Sequence, residues 1–160
     1  MDLSTLTDAQ VLGLTAAAEA RSYLDPTKGW RLAPIENMVA VMCAVANRVK
    51  ANPARFGATI TAACLAPHQF SCWTEGSGSN HDWLVGQVEL VKAGLTPDGI
   101  VQGCIGVAGA IVAGRHADTV NGATHYYAPA SMVPPGRVPD WAKGKTPVAE
   151  IGDHLFFVGV

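Results

Sequence analysis

Glu19 is the residue of this chain best placed for proton chemistry. It follows Leu12 by seven residues and Ala16 by three and precedes Tyr23 by four, so these residues share one face of a helix expected from about Asp8 to Tyr23. That face is apolar. A carboxyl group held there, near the end of its helix and away from the helix's positive end, loses hydration in its charged form, which raises its pKa. Such a group holds a proton near neutral pH and can act as a general acid. The competing role for Glu19 is a partly exposed ion pair with Arg21 or Arg48.

Cys64, His68 and Cys72 form a C-x3-H-x3-C spacing that, with His81, offers four zinc-ligating side chains. Pro67 interrupts the run, and the spacing matches no common structural zinc motif, so neither a metal nor a cofactor is expected. Cys43, Cys64, Cys72 and Cys104 contain no CxxC pair and read as reduced, packed thiols.

The elements that must position Glu19 follow from composition and pattern. At 160 residues the chain holds one domain's worth of material, and eleven Lys plus Arg against thirteen Asp plus Glu leave a formal charge of −2. That balance argues against broad binding to nucleic acid. The longest stretch free of both charged residues and histidine, Gly99 to Gly114, falls short of a bilayer span and is broken by glycines, so it reads as a buried helix with small-residue packing faces and no membrane partner is expected. Met1 to Ala18 carries Asp2 and Asp8 and no basic segment ahead of its apolar residues, so synthesis as a cytosolic product is expected.

Thr7 followed by Gln10 has the spacing of a capping box and announces the first helix. Pro26 ends it, and Asp25 to Leu32 reads as a loop. Pro34 suits the first turn of a second helix, in which Met38, Met42, Val45 and Val49 recur on one face. Val39, Val41, Cys43 and Ala46 make its other faces apolar too, which predicts the buried centre of the fold. After the Asn52-Pro53 break, a short helix is expected over Thr59 to Leu65, an extended segment over Pro67 to Trp73 and a turn over Glu75 to Asn80. Further helices are expected from near Asp82, with Leu84, Val88 and Val91 inward, and after Thr96-Pro97 as cap and first turn, with Ile100, Cys104, Val107 and Ile111 inward. From Asp118 onward Gly, Pro, aromatics and short β-prone pieces predict a small β region ending in His154 to Val158.

Several segments, in order, carry a family likeness. They are Ala18-Glu19-Ala20-Arg21, the helix Val39 to Val49 ending in Asn47-Arg48-Val49, Phe56 with Thr59-Ile60, and Gln69-Phe70-Ser71. Gly122-Ala123-Thr124-His125-Tyr126, Ala128-Pro129, Trp141 and the Ile151-Gly152-x-His154-x-Phe156 tail complete the series. Together they resemble the SleB-type cell wall hydrolases, the family of spore-cortex-lytic enzymes and related phage and bacterial peptidoglycan hydrolases, over about residues 16 to 158. The chain departs from the family pattern after Arg21, where Ser22-Tyr23 stands in place of Gly-Glu and Leu24 to Pro34 is inserted.

The resemblance implies an α+β, mainly α fold like that of lysozymes and lytic transglycosylases, with a helical lobe and a small β-containing lobe bordering a glycan groove. It implies a single catalytic domain over residues 1 to 160, working as a monomer on peptidoglycan glycan strands. The implied reaction cleaves the β-1,4 bond between N-acetylmuramic acid and N-acetylglucosamine, with Glu19 as catalytic residue. Ordinary glycosidases need two carboxyl groups. A lytic transglycosylase needs one, because the muramic acid's own C6 hydroxyl attacks. If water attacks instead, Glu36 and Glu75 are the candidates for a second carboxylate, although Glu36 also suits helix-dipole stabilisation. Gln69, Ser71, Thr124, His125 and Tyr126 are the polar residues of matching segments and candidate sugar-binding groups. Tyr126, Trp73 and Trp141 are candidate stacking platforms for pyranose rings, Trp141 being the best suited to an exposed role.

Two other functions are compatible with the residues. One is a cysteine amidase or endopeptidase using Cys72 with His125 or His81 as base. The other is a wall-binding module that keeps the fold without the chemistry. A compact phage endolysin, accumulating in the host cytoplasm before acting on the wall, is the expected biological setting.

Overall fold

The computed structural model describes residues 2–20, 35–77 and 79–160. The first helix, α1 (Asp8–Ala20), starts where the capping box sets it. The Thr7 amide donates to Gln10 Oε1 at 2.8 Å and the Gln10 amide to Thr7 Oγ1 at 3.3 Å. The last expected turn of this helix, Arg21 to Tyr23, the loop at 25–32 and Pro34 lie outside the described residues.

Helix α2 (Ile35–Ala51) is buried at every position from Asn37 to Arg48, as its all-round apolar pattern predicts. The Asn52-Pro53 break is itself a short helix, α3 (Pro53–Phe56), because the Asn52 side chain accepts from the Arg55 amide and Pro53 fits the first turn. Helix α4 (Ile60–Leu65) follows, capped by Thr59. Helices α5 (Ser79–Lys92) and α6 (Gly99–Val112) complete the helical part.

Four sequence expectations are corrected. The segment 67–73 is not extended. Its backbone closes local turns, with the Gln69 amide on Ala66 O and the Thr74 amide on Ser71 O, and Ser71–Trp73 forms a 3-10 turn. Among the described residues no strand pairs with this short run, and turn hydrogen bonds satisfy part of its backbone instead. The cap of α6 is Asp98 rather than Thr96, since the Asp98 carboxylate accepts from the Ile100 amide at 2.8 Å. The buried stripe of α6 is therefore Val101, Cys104, Ala108 and Ile111, rotated by one position at two of its four places.

The small-residue contact between helices also lies on the opposite partner. Gly13 of α1 meets α6, where a Cβ would stand 2.7 Å from the Ile105 amide nitrogen and 2.8 Å from its Cα, whereas Gly99, Gly103, Gly106 and Gly109 of α6 face open space. Gly13→Ala is therefore expected to push the two backbones apart and destabilise the fold by about 1–3 kcal/mol, measured by urea unfolding.

Strands β1 (His125–Tyr127), β2 (Ala149–Ile151) and β3 (His154–Phe157) form an antiparallel sheet in the order β1-β3-β2. Tyr126 pairs with Phe156 and His125 with Phe157, so Tyr126, His154 and Phe156 share one face and His125, Tyr127 and Phe157 the other. Side chains of α2 tie the sheet and its loops to the helical core. Asp118 accepts from the Asn47 side chain at 3.1 Å and from the Val120 and Gly122 amides, which fixes the loop entering β1. The β2–β3 turn sets Gly152, at a φ of 58°, against the buried amide of Asn37, where a Cβ would come within 3.0 Å. The whole is an α+β, mainly α fold. Among the described residues no helix is long and apolar enough to cross a membrane.

Candidate active site

Glu19 stands in the last turn of α1, partly buried, where α1, α2, the 3-10 turn and β1 converge. Both the amide and the thiol of Cys72 donate hydrogen bonds to its carboxylate. Burial raises the Glu19 pKa above the ordinary carboxylate value, against the opposing pull of the Cys72 donors and the Arg48 charge.

Arg48 is the cation that organises this region. It is 6% exposed, its Nε donates to the Thr124 carbonyl at 2.6 Å, and one terminal nitrogen donates to Gln69 Oε1 at 3.0 Å. Its guanidinium carbon lies 5.3 Å from the ring centre of Phe70, 5.8 Å from Phe56 and 5.9 Å from Tyr126. One side chain thus joins α2 to the Gln69 segment and to the start of β1, using the fixed fork and flat face of guanidinium. The Tyr126 ring packs against His154 at 5.2 Å and Phe156 at 5.5 Å between centroids. Burial first, and the Glu19 charge second, push the Tyr126 phenol well above its usual pKa, so it remains a neutral hydroxyl.

The candidate residues separate into groups. Glu19, Gln69 and Tyr126 surround Arg48, with Thr124 contributing its carbonyl. Ser71 is exposed in the turn that carries Cys72. His125 lies on the opposite face of β1 from Tyr126, its ring 5.6 Å from Phe56 and 5.3 Å from Trp141, and Trp141 packs further on Tyr127 and Phe157. Glu36 is exposed in the first turn of α2, about 18 Å along the helix axis from Arg48 at the standard rise per residue. Glu75 lines a separate groove of about 740 Å³ with Leu3, Leu65, Trp73, His81, Val85 and Glu89.

Cys72 has the wrong surroundings for a nucleophile. It is 1% exposed, burial and then the Glu19 charge push its thiol far above the ordinary range, and His81 Nδ1 bonds its carbonyl oxygen rather than its sulfur. Among the described residues no group of three His, Cys, Asp or Glu side chains is arranged to hold a metal, and Cys64, buried beside Thr15, has its thiol pushed up to about 12.

Arg48, as the organising group, and Cys72, as a partner of Glu19, were not singled out by sequence reasoning. Arg48 did carry a signal, since a guanidinium on an otherwise apolar buried helix must be matched by acceptors and ring faces. Cys72 carried none, because its role depends on a turn hidden in a β-prone run.

Against this geometry a family model, described as Cell Wall Hydrolase, matches residues 33–157. The chain belongs to the cell wall hydrolase family. The match spans α2 with Arg48, the Gln69–Cys72 segment and the whole sheet, while Glu19 lies ahead of it. Neither the comparison with curated proteins nor that with solved structures returned a match. As a cell wall hydrolase, the protein acts on peptidoglycan.

Two histidines of this hydrolase, His125 and His154, give its stability a pH dependence. Burial, with the Arg48, Arg55 and Lys145 charges adding to it, lowers the His125 pKa from 6.5 to about 4, and burial also lowers that of His154. The unfolded chain then binds protons that the folded chain refuses. This contribution is full above pH 6.5 and declines as pH falls toward about 4. Glu19, with a raised pKa, acts in the opposite sense, its contribution being present below its unfolded value and lost as pH rises through its folded one. A fall in Tm between pH 6.5 and 4, shallower in His125→Gln, is the result expected from circular dichroism melts.

Proposed function

We propose that this cell wall hydrolase cleaves the β-1,4 bond between N-acetylmuramic acid and N-acetylglucosamine, with Glu19 as general acid and then base. The observation that carries the reading is the Glu19 carboxyl, partly buried, raised in pKa and braced by Cys72 and Arg48. In the first step the Glu19 proton passes to the glycosidic oxygen as the bond to the muramic C1 breaks. The muramic C6 oxygen then bonds to C1, and the proton of that hydroxyl returns to Glu19. The products are a 1,6-anhydromuramic end and a free N-acetylglucosamine hydroxyl, and the enzyme is restored.

Transglycosylation is favoured over hydrolysis because it needs a single carboxyl group, and the two sequence candidates for a second stand apart, Glu36 about 18 Å along α2 from Arg48 and Glu75 in a separate groove. Tyr126 and Gln69 stand with Glu19 around Arg48 and are assigned to hydroxyl and N-acetyl groups of the sugar. Ser71 extends that surface, while His125 and Trp141 are assigned to the glycan on the other face of β1, with the Thr124 hydroxyl 2.9 Å from His125 Nδ1. Mass spectrometry of the soluble products from purified peptidoglycan tests this. Anhydromuramic ends are expected, reducing muramic ends would assign hydrolysis, and fragments cut only at peptide bonds would overturn the reading.

A further inference from the structure

The 3-10 turn Ser71–Trp73 docks on α1 through two consecutive residues. The Trp73 indole donates to the buried Thr15 hydroxyl oxygen at 2.9 Å, and Cys72 donates through its amide and thiol to Glu19, four residues later on the same face of α1. The remaining polar group of Cys72, its carbonyl, accepts from Nδ1 of His81, 3.0 Å away in the first turn of α5. The carbonyl can only accept, which fixes the proton of this 9% exposed imidazole on Nδ1. All three hydrogen-bonding groups of Cys72 are thus committed, two toward Glu19 and one toward α5.

We propose that Cys72 is a positioning residue for Glu19, its amide and thiol orienting the carboxyl while His81 braces the turn from α5. The proposal rests on the reading of Glu19 as the catalytic acid. Among the described residues, Arg48 from α2, Cys64 from α4, Cys72 from the turn and Tyr126 from β1 act on Glu19 or are acted on by it. Burial keeps the Cys64 thiol and the Tyr126 phenol neutral, so among these groups Arg48 and the two Cys72 donors favour the ionised carboxylate. A thiol is a weak donor, so it opposes the upward push of burial on Glu19 only weakly. A hydroxyl in its place would hold the ionised form more tightly, and a methyl group would not hold it at all.

The test is the pH profile of peptidoglycan solubilisation by Cys72→Ser, Cys72→Ala and His81→Phe, beside ¹³C NMR titration of the Glu19 carboxyl assigned with Glu19→Gln. The basic limb and the carboxyl titration of Cys72→Ser are expected to move to lower pH by about half to one unit, those of Cys72→Ala to lie above those of Cys72→Ser, and His81→Phe to lose kcat more than KM. The serine variant differs by one atom, and its NMR titration needs no turnover, so it serves if the other variants fold poorly. A Cys72→Ser titration and profile that coincide with those of the unmodified protein would overturn the positioning role. Full activity in Glu19→Gln would instead overturn the reading of Glu19 as the acid.

Discussion

Glu19→Gln is expected to lower the rate of peptidoglycan solubilisation by about 10²–10⁴-fold, the range that general acid–base catalysis contributes, while leaving the thermal unfolding temperature at neutral pH unchanged or higher. The amide has the shape of the carboxyl and can still accept from the Cys72 amide and thiol, but it has no acidic proton to give. The second half of the expectation follows from burial. A carboxyl whose pKa is raised by desolvation is a charge the fold holds at a cost once pH exceeds that pKa, and the neutral amide removes the cost. Loss of activity together with a lowered Tm would point to a structural role. Loss of activity with preserved Tm identifies Glu19 as chemical machinery.

Arg48→Met is expected to destabilise the fold by about 2–4 kcal/mol in urea unfolding, and to abolish most activity with it. Methionine refills part of the space between Phe56, Phe70 and Tyr126 but leaves the Thr124 carbonyl and Gln69 Oε1 without their donors. Activity falls because the Gln69 segment and the start of β1 lose their common anchor, and because the charge that opposes burial at Glu19 disappears. Arg48→Lys keeps the charge and loses the fork. It is expected to recover only part of the stability, since one ammonium does not reproduce the guanidinium's planar donors and ring contacts.

The helical frame was legible where side-chain pattern is the cause of structure. The Thr7–Gln10 box starts α1, and the all-round apolar run of α2 makes it the centre of the core. The α6 stripe was read one residue off at two positions because glycines at 99, 103, 106 and 109 remove the side chains that would distinguish one face from another, and Asp98 outcompetes Thr96 as the cap. The turn at 71–73 was illegible for a different reason. Its shape is reinforced by long-range hydrogen bonds from Trp73 to Thr15 and from His81 to Cys72, which no local propensity announces.

The site was legible in part. A partly buried carboxyl at Glu19 follows from helical periodicity, and the fold brings the Arg48 charge near enough to act on it. Thr124, His125 and Tyr126 read as one contiguous polar group in the sequence. In a strand, consecutive side chains alternate, and that alternation sends Tyr126 toward Arg48 and His125 toward Trp141.

Glycan strands stripped of their peptides by an amidase, incubated with the protein and resolved by liquid chromatography and mass spectrometry, test the central claim most directly. The account predicts short saccharides ending in 1,6-anhydromuramic acid, formed by the unmodified protein and lost in Glu19→Gln. Strands left at full length, while intact peptidoglycan is still solubilised, would contradict it and move the scissile bond to the peptide.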